Sequence, residues 1–295
     1  MTKKIAITGG RGRLARVTAA YFSEQGYEVT LFSRKAGEGM KAFEELFNPS
    51  VMSSFDTLIH AAWSTVPFSS EADPGREERE DIPLLKKILE TLHELKQGTP
   101  LPKFIFLSSA SVYGNQKKEA ATELALCKPL SRYARAKFFA ERLILQAAAH
   151  DFRLKPVILR VTNLLGMPSS EAVPQGILPK IVEAAKSHQT VEIWGDGKAS
   201  KDYLWIDDFL EALKLAIETP AQGIFNVGSG KNFSLLDFIK IAEEVMQQPL
   251  LVKHHPHYPW DVCCSKISSA AFMKATGWKP RCDIIKKVES LLRSC

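Results

Sequence analysis

Cysteine is sparse and irregularly placed. Cys127, Cys263, Cys264, Cys282 and Cys295 make an odd set without Cys-x-x-Cys spacing, which argues against a structural zinc site and a disulfide framework and fits a reducing cytoplasm. Long apolar runs are missing as well: no stretch approaches the ~20 residues of a membrane-crossing helix. The N-terminal residues lead into a strand-like segment rather than a signal peptide, so a soluble, cytoplasmic protein without a membrane partner is expected. Dense cationic runs are absent too. The formal charge is +6, but Lys and Arg are scattered, which speaks against nucleic acid and suits an anionic small molecule needing only a few local cations. No internal repeat, low-complexity tract or long linker occurs. At 295 residues, 45% hydrophobic and 24% charged, the chain exceeds a usual single core, so one large domain with an appendage, or two domains, is expected.

What is present begins with Lys4 to Thr8, an apolar strand candidate running into Gly9-Gly10-Arg11-Gly12-Arg13-Leu14-Ala15 and a helical pattern that reaches Gln25. In this strand, turn and helix, Gly9 makes the tight turn, Gly12 lets the backbone approach a pyrophosphate, and Ala15 allows helix to pack on strand. The amides of the new helix end, around Arg13 and Leu14, face the phosphates. Glu28 to Ser33 reads as the second strand. It ends in Ser33-Arg34-Lys35 with no carboxylate for a ribose 2'-hydroxyl, which with Arg11 points to NADP as the preferred cofactor and leaves NAD possible. Asp56 to Ala62 is a further buried strand, and small Ala61 and Ala62 leave room for a nicotinamide ring. His60 reads as a core residue. Ser69 to Asp81 mixes charges without periodicity and reads as a surface loop, with a helix from Ile82 to Leu95. Lys103 to Leu107 forms the next strand and delivers Ser108-Ser109-Ala110-Ser111-Val112-Tyr113-Gly114 at its carboxyl end, where parallel sheets bind ligands.

Ser131-Arg132-Tyr133-Ala134-Arg135-Ala136-Lys137 opens a helix reaching His150. Tyr133 and Lys137 are four residues apart and share one face. A phenol with pKa ~10 transfers protons poorly at neutral pH. A fixed ammonium one turn away favours the phenolate, and bringing that pKa near neutrality takes about 4 kcal/mol.

With the glycine turn, the Ser-Ser-Ala-Ser-Val-Tyr-Gly run and the Tyr and Lys helix in this order, the chain resembles the extended short-chain dehydrogenase/reductase family, which includes the nucleotide-sugar epimerases. Val157 to Gly166 looks like the family's sixth strand with its substrate-facing asparagine, here Asn163. Trp194-Gly-Asp-Gly, Lys201-Asp-Tyr, Phe225-Asn-Val-Gly-Ser-Gly and Gly277-Trp-Lys-Pro extend the likeness nearly to the C-terminus. The resemblance implies that Tyr133 transfers the proton, that Lys137 holds the nicotinamide ribose and lowers the tyrosine pKa, and that Ser109 steadies the sugar oxygen. It also implies a homodimer.

Departures from the family pattern carry information. Dehydratases of this type have an acidic pair where Ala110-Ser111 stand, so dehydration is not expected. The arginine that often binds the nucleotide diphosphate is Lys201 here, which keeps the charge and loses the bidentate fork. A second family arginine has no counterpart near Asp261, where the run is His254-His255-Pro256-His257-Tyr258-Pro259-Trp260; these histidines lack metal-ligand spacing. The expected fold is α/β, a Rossmann-type doubly wound parallel sheet over residues 1–166 and 202–228, with a smaller substrate-binding lobe over 167–201 and 229–295. The expected activity is that of a 4-epimerase or 4-ketoreductase on a nucleotide-sugar. A non-catalytic NADP-sensing protein is the alternative, which the complete Ser109, Tyr133 and Lys137 set disfavours.

Overall fold

The computed structural model describes residues 2–116, 119–167, 177–187 and 189–293. Short runs of Ile, Leu, Val and Phe alternate with amphipathic helices. The chain runs through β1 (Lys4–Thr8), α1 (Arg13–Glu24), β2 (Glu28–Ser33), β3 (Met40–Ala42), one-turn α2 (Phe43–Leu46) and α3 (Pro49–Met52), and β4 (Thr57–His60). It continues as α4 (Pro67–Ala72), α5 (Arg76–Glu94), β5 (Lys103–Ser109), α6 (Arg132–His150), β6 (Val157–Val161) and β7 (Asn163–Leu165). Then come α7 (Ile177–Ser187), β8 (Val191–Trp194), β9 (Ser200–Trp205), α8 (Ile206–Glu218), β10 (Gly223–Val227) and β11 (Asn232–Ser234). The last elements are α9 (Leu235–Met246), β12 (Val252–His255), β13 (Cys264–Ser265), α10 (Ala270–Thr276) and α11 (Ile284–Arg293).

Seven strands form one sheet in the order β10-β6-β5-β4-β1-β2-β3, and every pairing is parallel. Helices cover both faces, which is why β4 and β6 are buried along their whole length rather than alternating. Phe22 of α1 and Phe209 of α8 pack on one face, while Ile88 of α5 and Ile144 of α6 pack on the other. This is the doubly wound, Rossmann-type sheet that the alternation of elements predicts. The order reverses around β1, so a crevice opens beyond the carboxyl ends of β1 and β4.

Two expectations need correction. Val157 to Gly166 is two strands: Val157–Val161 lies in the large sheet, whereas Asn163–Leu165 pairs with β9 in a second sheet that also holds β11 and β13. Thus Ser200–Trp205 does not return to the large sheet although α8 and β10 do. Both edges of β6 are already taken, by β5 and β10. Second, the supposed surface loop from Ser69 to Asp81 folds into the end of α4 and the first turns of α5. Glu77 and Asp81, one turn apart, are only 1% and 4% exposed. Glu77 accepts from the Thr65 hydroxyl at 2.6 Å, and Asp81 accepts from the Ser64 amide and hydroxyl at 2.8 and 2.7 Å. Periodicity that counts carboxylates as solvent-facing cannot see a helix whose buried face carries them. Of the segment 167–201 assigned to the smaller lobe, residues 168–176 and 188 lie outside the described residues, as does Cys295.

Candidate active site

The turn after β1 is built for close approach. Gly9 has φ of +83°, and a Cβ there would stand 2.9 Å from the backbone of Ala62, so only glycine lets this turn meet the end of β4. The Gly12 amide donates to the Gly9 carbonyl at 2.7 Å and starts α1. No side chain caps that helix, and no acidic residue lies in its first turn, so its amides and positive dipole end are left for an anion. A cavity of about 560 Å³ opens there, lined by Gly9, Arg11, Gly12, Ser33, Arg34, Ala61 and Ala62. Arg11 and Arg34 are exposed, and Arg34 pairs with Glu80 at 2.6 Å. Ser33 is buried, its hydroxyl donating to the Lys35 carbonyl. Arg13 is the first residue of α1, and Leu14 faces the neighbouring substrate-side cavity. Uncapped amides, a glycine cradle and two guanidiniums suit a dinucleotide phosphate.

That second cavity, about 310 Å³, is lined by Trp63, Ser109, Tyr133, Lys137, Asn163, Lys201 and Trp260 among others. Ser131 starts α6 by accepting from the Ala134 amide at 3.1 Å, which sets Tyr133 and Lys137 in its opening turns. Tyr133 is half-buried and hydrogen-bonded to Ser109, the last residue of β5, whose Oγ lies 2.9 Å from that of Ser111. Lys137, 4% exposed, donates to the Leu107 carbonyl at 2.8 Å and sits 3.8 Å from the centroid of the Trp63 ring. Asn163 Nδ2 donates to the Asp202 carbonyl at 3.0 Å, and Lys201 pairs with Asp261 at 2.7 Å.

The electrostatics overturn one expectation. Burial pushes the Tyr133 phenol up to about 12; Ser109 opposes the rise, and Asp81 and Glu77 add to it. Burial draws the Lys137 ammonium down to about 7, against the pull of Asp81 and Glu141. Lys137 is not among the groups that shift the phenol; its ammonium donates to the Leu107 carbonyl, lies over the Trp63 ring and stands 5.9 Å from the Tyr133 ring centroid. Behind the site, Ser108 donates to Glu141 at 2.5 Å, and Glu141 accepts from Arg160 at 2.6, 3.0 and 3.2 Å. Arg160 also donates to the Tyr113 hydroxyl at 2.8 Å, which donates to Asn226 at 2.7 Å.

Trp63 escaped the sequence reading. It lines both cavities, and its indole Nε1 is buried without a hydrogen-bond partner. Its one signal was its place just beyond a strand's carboxyl end, after Ala61-Ala62. His60 is a core residue: it lies 2.8 Å from the Thr8 hydroxyl, and burial, with Lys137 nearby, lowers it to about 3. His254 bonds to the Gly195 carbonyl, His255 to Glu192, and His257 lies 3.3 Å from Cys263 Sγ. Among the described residues, no group of three or more His, Cys, Asp or Glu could hold a metal ion.

Residues 5–228 match the model of the NAD dependent epimerase/dehydratase family. A UDP-glucose 4-epimerase of Corynebacterium glutamicum is 25% identical over 303 residues, spanning 94% of this chain and 91% of that protein. One from Lacticaseibacillus casei is 27% identical over 316 residues, spanning 96% and 94%. The structure of UDP-glucose 4-epimerase from Thermus thermophilus in complex with NAD has a TM-score of 0.84 at 23% identity over 98% of each chain. That of MoeE5 in complex with UDP-glucuronic acid and NAD reaches 0.86 at 20% identity, over 99% of this chain and all of the other. The stretch matched by the family model runs from β1 through the Tyr and Lys helix to the edge strand β10, and on that ground the chain belongs to the NAD dependent epimerase/dehydratase family.

Proposed function

We propose that this chain is an NAD(P)-dependent oxidoreductase or isomerase that acts on a nucleotide-sugar as a 4-epimerase or 4-ketoreductase, with Ser109, Tyr133 and Lys137 at its reacting centre. The observation that carries the reading is a phenol hydrogen-bonded to a strand-end serine in a cavity that shares Ala61 and Trp63 with the phosphate cradle. The 4-epimerase relatives support the substrate class and the position of reaction.

Gly9, Gly12, Arg11 and Arg34 would hold the nicotinamide dinucleotide, which when bound supplies hydride transfer. The chain's own residues manage the oxygen and its proton. Removing hydride from a C–OH carbon requires its hydroxyl proton to leave, and Tyr133 Oη is the group that takes it, or returns it to a carbonyl oxygen, while Ser109 steadies that oxygen. A phenol pushed up to about 12 keeps its proton at neutral pH, the form that donates to a carbonyl. Lys137 would hold the nicotinamide ribose, and Asn163 and Lys201 would contact the substrate. Residues 1–166 and 202–228 form the cofactor-binding part, with 167–201 and 229–295 as the smaller substrate lobe.

NADP is the preferred cofactor in this reading, because Arg11 and Arg34 stand at a cavity whose β2 end carries Ser33 rather than a carboxylate; Glu80 must then give up Arg34. A homodimer in the cytoplasm completes the proposal. Incubation with a panel of UDP-, GDP- and dTDP-sugars and their 4-keto forms, with either cofactor, should yield a 4-epimer or 4-alcohol by NMR. No product from any member of the panel overturns the reading.

A further inference from the structure

The Lys137 ammonium is buried among rings. Its Nζ lies 3.8 Å from the ring centroid of Trp63, 4.8 Å from that of Phe106 and 5.9 Å from that of Tyr133. Trp63 follows the end of β4, and Phe106 lies within β5; the two rings meet edge-on at 6.0 Å. Phe106 is wholly buried, and His60 stacks on it at 5.8 Å. The indole therefore leans on a fixed part of the sheet. Its Nε1 is buried without a hydrogen-bond partner, so what Trp63 offers its surroundings is the face of the ring.

The charged and titratable groups around Lys137 are engaged elsewhere. Asp81 of α5 accepts from the Ser64 amide and hydroxyl, and Glu77, one turn earlier, accepts from Thr65. Glu141 of α6 accepts from Ser108 and Arg160. His60 of β4 is lowered to about 3 and adds no like charge, and Tyr133, pushed up to about 12, adds no opposite one. The hydrogen bond that Lys137 makes goes to the Leu107 carbonyl at 2.8 Å, which uses one of the three donors of an ammonium. A carboxylate in the place of the rings would occupy the others and cancel the charge. An aromatic face attracts a desolvated cation and leaves its donors free for a ligand.

We propose that Trp63 is the positioning residue of Lys137: its ring face, with that of Phe106, stands in for a counter-carboxylate and keeps the ammonium charged with donors to spare. The use of those donors rests on the reading of Lys137 as the group that holds the nicotinamide ribose. Removing the face of Trp63 takes away stabilisation of the charged form alone, so the proton should leave Lys137 about one pH unit lower.

The test is a double-variant cycle of Trp63→Leu and Lys137→Met followed by denaturant unfolding. Near pH 6, where the ammonium of wild type is charged, the two changes should be coupled by about fivefold in the unfolding equilibrium constant, and near pH 9 by less than about twofold. Trp63→Phe keeps a face and should leave the effect of Lys137→Met within about twofold of that in wild type. Titration with NADPH across pH gives a second readout. The alkaline loss of affinity that Lys137→Met abolishes should begin about one pH unit lower in Trp63→Leu and stay near its wild-type position in Trp63→Phe. Coupling that is equal near pH 6 and pH 9 overturns the proposal, because the indole then only fills space. An alkaline limb that is unmoved or raised in Trp63→Leu overturns it too, as does a Trp63→Phe protein that behaves like Trp63→Leu. Coupling confined to low pH, with NADPH binding indifferent to Lys137→Met, supports the pairing of ring and ammonium and instead removes the reading of Lys137 as a cofactor contact.

Discussion

Arg160 and Lys137 are equally withdrawn from water, at 3% and 4% exposed; Lys137 lies on α6 and Arg160 is paired with Glu141 of the same helix, yet their surroundings are opposite. Each guanidinium nitrogen of Arg160 has a partner: Nε and Nη2 donate to Glu141, Nη1 donates to Tyr113, and Tyr113 passes the chain on to Asn226. Lys137 has one carbonyl, the rings of Trp63 and Phe106 at 3.8 and 4.8 Å, and no carboxylate within ion-pair reach among the described residues. A buried charge whose partners are complete serves as structure. A buried charge with spare donors stays costly and is available to a ligand. Residue type follows the division, since arginine cannot release its proton whereas lysine shifts readily when buried.

The largest test of the contrast breaks the complete side. Arg160→Met strands Glu141 in the interior and should cost about 3–5 kcal/mol of stability by denaturant unfolding, with Arg160→Met combined with Glu141→Leu recovering most of it. A loss below about 1 kcal/mol in the single variant would erase the distinction.

The two tyrosines sharpen it. Tyr133→Phe should lower turnover at least about a hundredfold while leaving cofactor affinity and fold intact. Tyr113→Phe should instead cost about 1–3 kcal/mol of stability, because it leaves Asn226 and an Arg160 donor unsatisfied, and should keep turnover per folded molecule near wild type. Exchange of these two outcomes would show that the sites have been assigned the wrong way round.

Lys137 gives a pH test whose sign is set by burial. Its folded value of about 7 lies below the ordinary 10.5, so the unfolded chain binds more protons between those values and stability rises with pH through that window. The burial penalty is full below pH 7. Lys137→Met should therefore melt above wild type near pH 6, with the advantage shrinking as the pH rises towards 10, and should bind NADPH more weakly throughout. Melting differences that are equal near pH 6 and pH 9 would count against an uncompensated ammonium.

The smallest effect belongs to the rim of the cofactor cavity. Arg34→Asp should shift the NADPH to NADH affinity ratio by about tenfold or more towards NADH. Wild type that binds both equally in calorimetry would leave Arg34 as the surface partner of Glu80 and remove the NADP preference.

The sequence by itself determined the parallel sheet, the glycine turn after β1 and the placement of Ser109 and Tyr133 at one end of that sheet. Each is a local pattern: apolar runs of strand length, glycines between a strand and a helix, and a helix with Tyr133 and Lys137 one turn apart. Tertiary structure alone decided the rest. Whether Ser69–Asp81 is loop or helix depended on Ser64 and Thr65 donating to two carboxylates in the interior. Where the chain leaves the large sheet after Val161 depended on both edges of β6 being occupied. The Tyr133 phenol rises because burial, with Asp81 and Glu77 nearby, outweighs its hydrogen bond with Ser109. Spacing along the chain reports which groups can meet, but how much water they lose and which partners they find is set by residues distant in sequence, and those two quantities fix protonation and pairing.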